Sequence, residues 1–297
     1  MSARNSGRAR WMFAGIILAV ISAAGVSASA AATGAEAKLV GQAACAGCHA
    51  EKVEAFAQTF HGRKALSNPK LANGCESCHG PASLHVDGGG DKTKIINPKK
   101  LAASDLAETC LACHKDKALM MWKTGAHSQH NVSCLSCHSI HEGEGRPSLV
   151  NGKTETCLKC HKKQKADMRL ASHHPVLEGK MSCVSCHNPH GGIEGNLKAD
   201  SGEELCAKCH AEKVGPFAFE HPPVSDGCHN CHLPHGSPVD RLLKQSLPYL
   251  CLNCHRFPHT TGGPPAAPSI AIAELRGSCV LCHKEIHGSD RKTSFKD

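Results

Sequence analysis

"SCVSCHNPH", residues 182 to 190, sets two cysteines three positions apart, places a histidine directly behind the second, and returns to histidine three residues later. The C-x-x-C-H core occurs ten times in the 297-residue chain, and the ten copies use all 20 cysteines. A disulfide framework or a series of zinc ribbons would account for paired cysteines, but neither requires a histidine behind every pair. Covalent haem attachment does. Two thiols spaced this way add to the two vinyl groups, and the imidazole of the next residue then faces the iron.

The attachment cysteines read in this way are Cys45 and Cys48, Cys75 and Cys78, Cys110 and Cys113, Cys134 and Cys137, Cys157 and Cys160, Cys183 and Cys186, Cys206 and Cys209, Cys228 and Cys231, Cys251 and Cys254, and Cys279 and Cys282. The proximal iron ligands follow as His49, His79, His114, His138, His161, His187, His210, His232, His255 and His283. The expected cofactor is therefore ten covalently bound c-type haems.

Of the 23 histidines, those outside the motifs are not scattered. Taking the motifs two at a time, each pair has one histidine, or two close together, between its motifs and another just after the second. The candidates are His61 and His85; His127 or His130, with His141; His173 or His174, with His190; His221 and His235; and His259 and His287. Taking His127 and His174 from the doublets supplies ten distal ligands, two per pair. His229, inside CHNCH, and the other member of each doublet are spare. The chain has only 6 methionines, too few for general His/Met ligation, so every iron is expected to be bis-histidine. In "CHNPH" and its counterparts the second histidine lies three or four residues past a proximal one. Residues that close tend to project to one side of the chain, whereas axial ligands approach an iron from opposite faces. The second histidine is therefore expected to serve a neighbouring haem.

The pairing is an internal repeat. Equivalent cysteines recur at intervals of 47, 49 and 45 residues from Cys110 to Cys251, and of 49, 45 and 51 from Cys134 to Cys279. Five dihaem units result, at about 45–85, 110–141, 157–190, 206–235 and 251–287. The first is stretched by "HVDGGGDKTKIINPKK" and the last by "TTGGPPAAPS". Units that each touch their neighbours predict an elongated body, made of short α-helices and irregular loops around ten haems, with no significant β-sheet. In "HAEKVEAFAQTFHG" the spacing of Val53, Phe56 and Phe60 predicts a helix with one face free to lie on a haem. Aromatic residues are only 3% of the chain, so the porphyrins themselves are the expected core.

Residues 1–30 combine basic Arg4, Arg8 and Arg10, a short apolar stretch, and small residues ending Ala28-Ser29-Ala30, which predicts a cleaved Sec-type signal peptide. Residues 31–297 are then a single decahaem domain. The formal net charge of +8 is no argument for nucleic acid. Three positive charges leave with the leader, and each haem brings two propionates against the one net positive charge of a ferric porphyrin.

At "HHPVLEGKMSCVSCHNPHGG" (173–192) and "AEKVGPFAFEHPPVSDGCHNCHLPHGS" (211–237) the chain closely resembles the MtrA/DmsE family of periplasmic decahaem cytochromes, and "CESCHGPASLH" is similar to that family's second haem site. The resemblance extends beyond what haem attachment needs, because G-P-F-x-x-E-H and L-x-E-G-K-M are not part of any attachment motif. It implies a slender bis-histidine electron wire in the periplasm, associated with the outer membrane inside a β-barrel porin. Its partners would be periplasmic or inner-membrane quinol-linked cytochromes on one side and an outer-face multihaem cytochrome or reductase on the other. The reading from site chemistry alone also admits a soluble periplasmic shuttle. An enzyme is not expected: no C-x-x-C-K motif offers a labile iron, histidines are sufficient to close every iron, and no catalytic residue is assigned.

Overall fold

The computed structural model describes residues 36–65, 68–116, 119–141, 149–150, 153–255 and 279–296. The expected leader, the Pro-rich loop and His259 lie outside them. The chain divides into Met1–Glu36 and a body, Ala37–Asp297, which carries every motif.

C-x-x-C places two thiols at i and i+3, one face of a single helical turn, and each motif is built on such a turn. The first motif of each unit starts on a helix: Gln42–Gln58, Ala103–Leu111, Lys153–Leu158, Gly202–His210 and Tyr249–Leu252. Sequence signals fix where some of these begin. Ser201 caps Gly202–His210, its hydroxyl accepting the Glu204 N–H at 3.1 Å, and Glu203 and Glu204 occupy the positive end of the helix dipole. The second motif of each unit is a lone turn: Glu76–His79, Cys134–Ser136, Cys183–Cys186, Cys228–Asn230 and Cys279–Leu281. Serines on either side of two of these cysteines, Ser133 with Ser136 and Ser182 with Ser185, make reciprocal capping boxes that hold the turn without a longer helix.

The helix expected to carry Val53, Phe56 and Phe60 on one face is interrupted. Its backbone kinks at His49 (φ −121°, ψ 39°), and Thr59 is extended (ψ 166°). The Thr59 hydroxyl donates to the Phe56 carbonyl at 2.7 Å, which ends the helix, so Phe60 opens a separate one, Phe60–Ala65.

After each central second motif the chain hooks back on itself. Isolated antiparallel bridges pair His138 with Leu149, His187 with Leu197 and His232 with Leu243. The N–H groups of Val150, Lys198 and Lys244 donate to the carbonyls of Cys137, Cys186 and Cys231 at 3.0, 2.9 and 2.9 Å. Each hook holds the proximal histidine at one end and presents the next histidine near its start. Regular β-structure among the described residues is one two-stranded antiparallel pair, Phe219–Glu220 with Gly288–Ser289, in keeping with a helix-and-loop protein.

Buried apolar side chains are few among the described residues: Phe56, Ala82, Leu106, Ala107, Trp122, Leu158, Met168 and Val176. Their burial falls far short of what ordering a body of this size costs. Buried Glu76, within the second motif, supplies a polar tie instead. Its carboxylate accepts the N–H groups of Val40, Gly41 and Ala82 at 3.0, 2.8 and 2.9 Å, binding the entry of the first helix to the second haem site. Burial alone would raise its pKa, but the three N–H donors outweigh this and hold the carboxyl below its ordinary value.

Candidate haem sites

Nine of the ten proximal histidines stand opposite a histidine from elsewhere in the chain. The pairs are His49 with His85, His79 with His141, His114 with His61, His138 with His190, His161 with His127, His187 with His235, His210 with His174, His232 with His287 and His255 with His221. Ring centroids are separated by 5.7 Å at the closest pair and 6.4 Å at the widest. An iron midway between two imidazoles, with metal–nitrogen bonds of about 2 Å, requires roughly 6.3 Å between centroids. The spacing therefore fits a metal between the rings. At the closest pair the two Nε2 atoms are 3.4 Å apart and would spread by about 0.6 Å to admit iron. The tenth proximal histidine, His283, has its expected partner His259 outside the described residues.

The pairs follow a rule. A histidine lying between the motifs of one unit opposes the first proximal histidine of the next: His61 with His114, His127 with His161, His174 with His210, His221 with His255. A histidine following the second motif opposes the second proximal histidine of the preceding unit: His141 with His79, His190 with His138, His235 with His187, His287 with His232. Among the nine described pairs, His49 with His85 alone lies within one unit.

Backbone carbonyls orient the rings. The Nδ1 atoms of His79, His187, His232 and His283 donate to the carbonyls of Ile96, Gly195, Arg241 and Ser294, within their own hooks, at 2.8, 3.0, 2.8 and 2.6 Å. His85 donates to Asp91 O at 2.9 Å. Across unit junctions His127 donates to Pro189 O at 2.7 Å and His174 to Pro234 O at 2.6 Å, and His221 bonds the Ile286 carbonyl. The residue supplying that carbonyl is followed each time by a histidine facing the other way, His190, His235 or His287. One dipeptide therefore braces two sites. Nδ1–H bonded to a carbonyl leaves the Nε2 lone pair free for a metal and makes it more basic. Burial also holds His61, His190, His221, His235 and His287 below the ordinary histidine pKa, in the neutral form that ligates.

A glycine follows each of these three histidines because the hook presses against the preceding unit. A Cβ on Gly191 would strike the backbone of Met121, one on Gly236 the backbone of Asp167, and one on Gly288 the ring of Phe217. Gly191 and Gly288 also take φ of +129° and +151°.

No disulfide joins the twenty cysteines, and their approaches to one another follow the chain. Within units the first cysteines of the two motifs meet: Cys45 with Cys75, Cys110 with Cys134, Cys157 with Cys183, Cys206 with Cys228, Cys251 with Cys279. Between units the second cysteines approach: Cys78 and Cys113, Cys137 and Cys160, Cys186 and Cys209, Cys231 and Cys254. The ten attachment sites thus adjoin one another in sequence order, through alternating ends of the C-x-x-C turn.

The geometry separates the doublets. His127 opposes His161 while His130 is exposed; His174 opposes His210 while the Nε2 of His173 meets Glu178 at 3.0 Å. His229 is exposed. Sequence reasoning missed the carbonyl acceptors, which leave no mark in side-chain identity, and Glu76 and Trp122, which sit at unremarkable positions.

A fold assembled from C-x-x-C turns and opposed imidazoles is that of a multihaem c-type cytochrome. Family models agree: "Doubled CXXCH motif" matches residues 127–166, 173–215 and 221–258, and "Cytochrome c-type protein NrfB-like" matches 75–146. Multiheme cytochrome MtrA of Shewanella baltica (strain OS185) is 37% identical over 191 residues, covering 63% of this chain and 57% of that relative. Over that aligned stretch the chain is similar to MtrA, a multihaem cytochrome. It spans little more than half the length of the curated relative it matches. An undecahaem cytochrome from the S-layer of Carboxydothermus ferrireducens aligns at 23% identity over 75% of this chain and 32% of the other, with a TM-score of 0.16, too low for the two folds to be equated.

Covalent haem supplies one-electron iron chemistry. What the chain itself does is set two imidazoles facing each other at nine of the sites and keep successive C-x-x-C turns near one another.

Proposed function

We propose that all ten motifs carry haem, that every iron is closed by two histidines, and that the protein conducts electrons along the sites in sequence order. The proximal ligands are those of the motifs. The distal ligands are His85, His141, His61, His190, His127, His235, His174, His287, His221 and, for the tenth iron, His259. The observation that carries this reading is the set of nine opposed imidazole pairs, supported by cysteines that lie near one another in sequence order.

The wire is proposed to run in the periplasm and through the outer membrane, inside a β-barrel porin. It would link quinol-fed periplasmic or inner-membrane cytochromes to an outer-face cytochrome, reductase or extracellular metal. Support comes from the similarity to MtrA and from the backbone. No described helix is long and apolar enough to cross a membrane. Hook and loop backbone groups would lose their hydrogen bonds in lipid, a cost that a surrounding barrel removes. The test uses liposomes holding a reduced dye, with ferric citrate outside. Cytochrome with its barrel partner should reduce the external iron, and neither protein alone should. Equal rates without a barrel, or no stable barrel complex in the native membrane, would leave a soluble periplasmic shuttle.

A further inference from the structure

Two aromatic side chains occupy equivalent places in the repeat. Phe56 stands five residues before His61, and Trp122 five residues before His127. Both are buried, and each packs on the histidine reaching back from the next unit: Phe56 on His141 at 6.5 Å and 79°, Trp122 on His190 at 6.3 Å and 58°. A hydrocarbon ring suffices for that packing, as Phe56 demonstrates. Trp122 adds an indole N–H. The residue is 6% exposed, and its Nε1 has no acceptor among the described residues. A buried donor without a partner costs free energy that phenylalanine in the same place would not incur.

The acceptor must come from what the fold encloses. The haem assigned to Cys134, Cys137 and His138 carries two carboxylates, the groups on its rim that can take such a bond. We infer that the Nε1–H of Trp122 donates to a propionate of this haem and so positions it and sets its potential; this rests on the His138–His190 ligation proposed above. An anionic propionate stabilises the more positive, oxidised iron. A donor that draws off part of that charge favours the reduced state, so losing the donor lowers the potential.

Trp122→Phe keeps the ring, as at Phe56, and removes the N–H. Spectroelectrochemical titration of the holoprotein should find one potential lowered by at least a twofold change in its equilibrium constant, about 18 mV for one electron. Resonance Raman should find one propionate bending mode shifted, with all irons still low-spin. If the potentials or the propionate modes match wild type, a bound water satisfies the indole and the inference is overturned. His190→Ala is measured in parallel. Carbon monoxide binding by one iron upholds the ligation whatever Trp122 does, and no binding overturns both.

Discussion

His61 lies in the first unit, between the first and second motifs, yet its ring opposes His114 of the third motif, with the two Nε2 atoms 3.4 Å apart. Replacing it by alanine should therefore open the third iron and leave the first two closed. Among the described residues no other imidazole packs on His114 to take its place. The expected size is one iron in ten: about one carbon monoxide per reduced chain, a high-spin ferric signal of one-tenth of the haem, and recovery of the low-spin spectrum when free imidazole fills the vacated space. Location is read by combining variants. In a Cys110→Ser/Cys113→Ser background, which lacks the third haem, His61→Ala should add no further carbon monoxide binding, whereas in a Cys45→Ser/Cys48→Ser background it should still add one. Stopped-flow absorbance and haem counting by intact mass provide both readouts. The reasoning fails if the effect of His61→Ala survives loss of the third haem and disappears with loss of the first.

Glu76→Gln removes a charge that holds three backbone N–H groups, so it should cost about 1–2 kcal/mol at pH 7. The folded carboxyl titrates below its unfolded value, so its contribution is present above roughly pH 4.5 and is lost as pH falls through the lower folded pKa. The variant's melting temperature should accordingly fall less than wild type's between pH 5 and 3; parallel curves would contradict this. Excision of residues 157–205, one repeat measured between equivalent cysteines, should give an eight-haem protein with every iron closed. His127 would then oppose His210, with Pro234 taking the place of Pro189, and His235 would oppose His138. Two carbon monoxide-binding irons in that variant would contradict the exchange rule.

The candidate attachment sites stand out in the sequence because covalent haem chemistry demands fixed residue types at fixed spacing, and the helix-and-loop fold followed from ten such turns in a chain poor in aromatic residues. The candidate distal histidines were legible as a set, from their recurrence relative to the motifs. Which site each would serve was not. That depends on how the hook after the second motif crosses the preceding unit, and the crossing is fixed by carbonyls such as Pro189 O and by glycines that let backbones touch. Histidine followed by glycine at 190–191, 235–236 and 287–288 is the trace this leaves in the sequence, and its meaning appears only when Met121, Asp167 and Phe217 are seen against it. The order of the sites in space was equally hidden, because spacing of 45 to 51 residues is compatible with many arrangements, and it emerges only from which cysteines lie near one another.

The central claim is that ten irons are each closed by two histidines. Intact mass of the mature protein, taken with carbon monoxide titration of its fully reduced form, tests it most directly. The account predicts the polypeptide plus ten covalent haems, no titratable thiol, and no rapid binding of carbon monoxide. Nine haems or fewer in fully matured protein, or one iron that binds carbon monoxide at once, would contradict it.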